Sequence, residues 1–181
     1  SGNLAIAMAI GNLTATIALF NLRPIQVSDV EGSFSTSQFV SFRAVTSFAA
    51  CLISIGYALL TVAPYCLEVV VAYIAFKIAD SFVDVFHGID QRNNRLDIVG
   101  KSQMIRGVLV VLIFSITIEL TSNLALAIWL ISIATVAVVV VFDYRKSSRL
   151  ENFGLDFGKK PIKALFAVCV PGLLSMLLCT Y

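Results

Sequence analysis

Five polar side chains recur at three- and four-residue intervals along Lys77–Gln91 (KIADSFVDVFHGIDQ): Lys77, Asp80, Asp84, His87 and Gln91. Those intervals match the turn of a helix, and at about 100° per residue the five, together with Tyr73, fall inside an arc of roughly 80°. The stretch runs on from the apolar Val69–Phe76, so it predicts the second half of a membrane-spanning helix. Val71, Ala72, Ile74, Ala75, Ile78, Phe82, Val83 and Phe86 are expected to meet lipid. A charge near the middle of a bilayer costs roughly 2.5–3.5 kcal/mol. Lys77, Asp80 and Asp84 put charges there, so the stripe must face protein or water, with Lys77 offsetting Asp80 one turn away.

Such a stripe suits three roles. It can line a substrate or ion pathway: counting about 1.5 Å per residue inward from Tyr65 puts Lys77 near the midplane, where transporters bind. Asp80, Asp84 and His87 then step toward the cytoplasmic side. It can hold Mg2+ on a diphosphate through Asp80-x-x-x-Asp84, as membrane prenyltransferases do. Or it can tie helices together, by an internal ion pair and a carboxylate reaching an arginine elsewhere. The transferase needs a second aspartate cluster facing the first, whereas Asp90 and Asp97 fall in a connector and Asp143 and Asp156 are isolated. The D-x-x-D-G pattern of CDP-alcohol phosphotransferases is missing, and Lys77 competes with a metal. Transport is favoured and no enzyme activity is expected. Arg23, Arg43 and Arg106 each stand at one end of an apolar run; they either snorkel to headgroups or ring the inner mouth of the pathway, where guanidiniums suit phosphates.

Composition sets the class. Hydrophobic residues make up 59% and charged ones 13% of 181 residues, and the mean hydropathy is +0.92. That predicts an all-α polytopic membrane protein, its apolar runs being too continuous for a membrane β-barrel. Cys51, Cys66, Cys169 and Cys179 lack CxxC spacing and read as packing residues. Phosphate-loop and metalloprotease patterns are absent, and the basic connectors lack interleaved aromatics, so no nucleic-acid binding is expected.

About six spans are predicted, near 2–22, 39–63, 67–87, 104–120, 124–142 and 162–181. Arg23-Pro24 is expected to end the first, and Gln26–Gln38 to be a polar segment holding Asp29 and Glu31. Residues 88–106 should extend the third and fourth helices with a break near Gly100, and 143–163 should form a basic connector. Asn12, Thr16, Ser47, Ser54 and Ser115 are expected to bond between helices, and Glu68 and Glu119 to be interfacial. Every Lys and Arg except Lys77 belongs to three alternate connectors or the helix ends beside them. The positive-inside bias puts those connectors in the cytoplasm, with membrane lipids and their headgroups around the chain. An amino terminus outside, together with the absence of a starting Met, leads to the expectation of a further span upstream.

The run Leu22-Arg23-Pro24-Ile25-Gln26-Val27-Ser28-Asp29, then Phe42-Arg43, then Lys77…Asp80…Asp84…His87-Gly88…Gln91-Arg92 and Lys101-Ser102…Arg106, resembles the amino-terminal lobe of bacterial polysaccharide flippases, over about residues 1–165. These belong to the multidrug/oligosaccharidyl-lipid/polysaccharide exporter superfamily. The resemblance implies two six-helix lobes around a central cavity, of which residues 1–181 would be an incomplete first lobe and the start of the second, matching the second through seventh spans. It implies movement of undecaprenyl-diphosphate-linked oligosaccharide across the bacterial inner membrane by alternating access, for lipopolysaccharide or exopolysaccharide synthesis beside other assembly proteins. Lys77, Asp80, Asp84, His87, Arg23, Arg43 and Arg106 are the positions offered for its charged cavity. No cofactor is implied; a coupling ion, Na+ or H+, would use Asp80 or Asp84.

Overall fold

A computed structural model describes residues 2–29 and 32–180; Glu31 of the polar segment and Tyr181 of the last span lie outside them, as do the side chains of Lys159 and Cys179. The described chain is helical, without a strand: α1 (Gly2–Leu19), α2 (Leu22–Ser28), α3 (Thr36–Thr61), α4 (Pro64–Arg92), α5 (Leu96–Thr121), α6 (Leu124–Val138), a π-helical turn (Val139–Asp143), α7 (Tyr144–Ser147) and α8 (Lys159–Thr180). Four stretches are long and apolar enough to cross a membrane: Leu4–Ser28, Thr36–Thr61, Leu96–Thr121 and Leu124–Ser147. The chain is thus an all-α polytopic membrane protein.

The helix boundaries correct several expectations. Arg23-Pro24 opens a helix instead of closing one. The break falls at Phe20 and Asn21, whose φ values of 47° and 51° are left-handed. Pro24 then sits in the first turn of α2, where a missing N–H leaves no helix bond unmade. Beyond α2, the Asp29 carboxylate accepts from the backbone N–H of Ser33 (2.8 Å) and Phe34 (3.0 Å). Burial pushes its pKa up, but those backbone bonds together hold it below the usual carboxylate value. Ser35 and Gln38 make a reciprocal capping box, which starts α3 at Thr36, earlier than its apolar pattern. Gly100 lies inside α5; the break comes at Asn93–Arg95, where Asn94 has φ 57°. Helix also continues past Phe142 to Ser147, through the π turn.

At 29 residues α4 is about 43 Å long, and α1, α2, α3, α5 and α6 all pack on it. The face expected to meet lipid is therefore covered: Ala72, Ile74, Val83 and Phe86 are buried, and Val71, Ala75, Ile78 and Phe82 are half-buried. Lipid-facing apolar surface lies instead on outer helices, at Phe48, Leu60, Val111, Leu112 and Ile133. Two cores flank the middle of α4. Toward Pro64, Ala7, Ala58, Ala72 and Ala125 let helix backbones approach closely. Toward Arg92, Phe20, Leu22, Phe39, Phe42, Phe86 and Ile89 fill a bulkier core.

The segment after Ser147 does not trail into solvent. The backbone N–H of Gly154 donates to Ser37 Oγ (3.0 Å) and that of Asp156 to Ser41 Oγ (2.6 Å), while Asn93 donates to Glu151 (2.6 Å). These bonds fold it across the start of α3 and the end of α4, closing the end of the bundle that carries the basic connectors.

Candidate functional site

Asp84 stands at the centre of a charged network on α4. Arg43 from α3 is fully buried; its Nη2 donates to Asp84 Oδ2 at 2.7 Å and its Nη1 to the carbonyl oxygen of Ala18 at 2.6 Å. Ala18 O lacks a normal helical donor because the chain breaks at Phe20–Asn21. Thr46 Oγ1 also donates to it, at 2.9 Å, so α3 caps the end of α1 while pairing with α4. Arg23, from α2, reaches Asp84 Oδ1 at 3.5 Å and donates through Nη2 to Gln91 Oε1 at 3.1 Å. Arg106, from α5, pairs with Asp80, and its buried Nε has no partner.

The orientation of Arg23 depends on how α2 docks. Gln26 is buried and donates through Nε2 to the carbonyl oxygen of Val85 at 3.1 Å. Its amide rests over Gly88, where a Cβ would collide with Gln26 Oε1 and Cδ. The Gln26–Gly88 contact thus brings the short helix flat against α4, and Arg23 follows.

A polar cavity of about 160 Å3 opens among these groups, lined by Leu19, Arg23, Asp80, Val83, Asp84, His87, Gln103 and Arg106. Six of the seven residues read from sequence as pathway positions therefore meet here: five of them line the cavity, and Arg43 backs it through Asp84. Lys77 is the exception. Its Nζ lies 5.5 Å from the ring centre of Tyr73 and 5.7 Å from that of Phe76. The expected Lys77–Asp80 pair does not form, because the guanidinium of Arg106 takes Asp80 and the lysine stem leans onto the aromatic rings. Nor do the arginines snorkel: each turns inward to α4. A larger cleft of about 460 Å3, lined by Cys51, Ala75, Ile78, Ala79, Phe82, Val136 and Val139, is apolar.

Hydroxyl contacts divide. Ser47 bonds Ser81 at 2.8 Å and Thr14 donates to Ser54 at 2.7 Å, both between helices as expected for Ser47 and Ser54. Thr16 donates to the carbonyl of Asn12 within α1, and Asn12 and Ser115 are exposed, so these three do not join helices. Sequence spacing missed Gln103 and Asp143. Asp143 is fully buried with its Oδ1 3.7 Å from His87 Nε2. The signal was a stripe on one helix face, Ser132, Thr135, Val139 and Asp143, which stayed hidden while the helix was expected to end at Phe142.

Electrostatically, three guanidiniums face two carboxylates, so one positive charge is left over, with an unpaired Arg106 N–H beside the cavity. The arrangement suits a small oxyanion that trades places with a carboxylate. Among the described residues no group of three His, Cys, Asp or Glu side chains is placed to hold a metal ion. Comparison with protein-family models, curated proteins and solved structures finds no match.

Proposed function

We propose that this chain is part of a flippase that carries a lipid-linked oligosaccharide, joined through a diphosphate to a polyprenyl carrier, across the bacterial inner membrane. The observation that carries the reading is the surplus positive charge of the Arg23–Arg43–Arg106 group over Asp80 and Asp84, at an open polar pocket between membrane helices. At ~30 Å3 per water, 160 Å3 holds about five waters, which is room for a phosphate but not a sugar chain. The headgroup is thus the part recognised here, while the oligosaccharide contacts other surface. An arriving phosphate takes Arg106 and Arg23 from their carboxylates; Asp84 keeps Arg43, while Asp80, partly exposed, is released toward the water of the cavity. Lys77, nearer the middle of α4 and without a carboxylate partner among the described residues, is the next cation along the helix for the same anion. The resemblance of Leu22–Asp29 and the α4 stripe to polysaccharide flippases supports the same substrate class.

The magnesium-dependent transferase finds less support, because Asp80 and Asp84 already accept from arginines that would repel a divalent ion. The test is a chromosomal Arg106→Gln replacement in the producing cell, read as the sidedness of lipid-linked oligosaccharide in the inner membrane. Accumulation on the cytoplasmic leaflet, with normal levels of the protein, is expected. Unchanged sidedness and unchanged surface polysaccharide would overturn the reading.

A further inference from the structure

Behind the cavity, on the side of α4 that meets α6, lies a second polar group that shares only His87 with the lining of the anion site. His87, Asp90 and Asp143 are at most 2% exposed, and Ser147 is fully buried. His87 Nε2 lies 3.7 Å from Asp143 Oδ1, and Ser147 Oγ donates to Asp90 Oδ1 at 2.9 Å. Four atoms have no hydrogen-bond partner: His87 Nε2, Asp90 Oδ2 and both carboxylate oxygens of Asp143. Asp143 occupies the last position of the π-helical turn Val139–Asp143, an irregularity found often at functional sites.

Neighbouring cations do not answer this charge. Arg23 of α2 and Arg43 of α3 are engaged by Asp84, and Arg106 of α5 by Asp80. Arg95, after α4, is turned to Asp97 at 2.8 Å. Among the described residues no Lys or Arg lies within ion-pair distance of Asp90 or Asp143, and α1 presents only Leu19 to the cavity that His87 lines. Two ionised carboxylates buried together without a counter-charge are costly, so the group has a place for one positive charge. The orphaned Nε2 of His87, aimed at Asp143, is the separate sign that the acidic pair has a ligand. At 3.7 Å, His87 Nε2 and Asp143 Oδ1 leave no room for another heavy atom between them, so the ligand has to be as small as a proton.

We propose that His87, Asp90, Asp143 and Ser147 form a buried proton-binding site, loaded from the polar cavity through the His87 ring. A hydronium in the cavity gives its proton to the imidazole, the Nε2 proton passes to Asp143 Oδ1, and water is left behind. The ring is neutral before and after, in exchanged tautomers, and the carboxylate becomes a carboxylic acid. Loading leaves one carboxylate where there were two, so the contact of α4 with the π turn and α7 is tight when the proton is bound and strained when it is lost.

His87 is the only histidine of the chain, so histidine-selective 15N labelling reports on it alone. Infrared spectra of the full chain in lipid nanodiscs should show a carboxylic-acid C=O band at neutral pH that shifts in deuterium oxide and disappears in strong alkali. Asp143→Asn or Asp90→Asn should remove most of it, while Asp97→Asn, at the surface, should leave it intact. The His87 15N signal should change over the same pH interval as the band, and His87→Gln should slow its deuterium exchange. Absence of the band at neutral pH in the unaltered chain overturns the proposal without any variant. A band that survives both buried replacements does so too, and so does a His87 signal that ignores Asp143→Asn.

Discussion

Arg43 and Asp84 give the sharpest test of how the charged network is held. Arg43→Met keeps most of the aliphatic stem but leaves Asp84 with Arg23 alone, at 3.5 Å. Removing one partner of a buried ion pair costs ~3–5 kcal/mol. Asp84 keeps 20% side-chain exposure and one guanidinium, so the low end applies, ~3 kcal/mol. Ala18 O still receives Thr46 Oγ1 and adds little. The reverse change, Asp84→Asn, is worse, because Arg43 has no exposure at all and no second carboxylate; ~4 kcal/mol is expected. With both changes neither charge remains, and the loss should fall to ~1–2 kcal/mol, a coupling of about 5–6 kcal/mol. Reversible unfolding in mixed micelles, or steric trapping in bicelles, measures all four corners of the cycle. Additive losses, or Arg43→Met proving costlier than Asp84→Asn, would refute the reasoning that the buried guanidinium is the more vulnerable partner.

Among the described residues Lys77 has no carboxylate partner, so Lys77→Met should lower stability by under ~1 kcal/mol, the scale of an exposed cation–π contact, yet abolish substrate movement in the cell, while Lys77→Arg retains it. Loss of stability with movement intact would make it a packing residue. The Asp29 carboxylate has its folded pKa below the usual value, so the stability it lends the loop is present above pH ~4 and is lost as pH falls through that lower value. Amide exchange at Ser33 and Phe34 should speed up on acidification, and Asp29→Asn should show the fast rate at every pH. For orientation, Gly154→Cys and Ala63→Cys, both exposed, are placed in a chain without its four native cysteines. An impermeant thiol reagent on intact cells should label Ala63→Cys only, and the opposite pattern would invert the topology.

Where a helix exists was legible in the apolar runs, but where it stops was not, and the reason is local. Pro24 and Gly100 look like stops, yet proline is tolerated in a first turn and a single glycine costs a long helix only ~1 kcal/mol. The actual breaks at Phe20–Asn21 and Asn94 use left-handed backbone, and the informative residue type was Asn, which enters that region more readily than most. The π turn carries no such mark in Val139–Asp143, so a helix expected to end at Phe142 hid the face that places Asp143 against His87.

The stripe on α4 was legible because it obeys a helical period, which is a property of one segment. Its partners were not, because a charge on one helix can be answered from any helix beside it. Lys77 was the nearest cation in sequence to Asp80, and the structure passes it over for Arg106 on α5. The consequence is mechanical. Asp80 and Asp84 are held by guanidiniums from α2, α3 and α5, so this end of the bundle cannot open unless several ion pairs part together. The opposite end is held by Ala7, Ala58, Ala72 and Ala125, contacts without charge that can slide. Parting the pairs is costly above all for Arg43, which is fully buried, and less so for the partly exposed Arg23 and Asp80. On the proposed function, an incoming anion gives Arg23 and Arg106 a new partner as they part from Asp84 and Asp80. On that proposal, movement at the charged end is coupled to occupancy of its cavity.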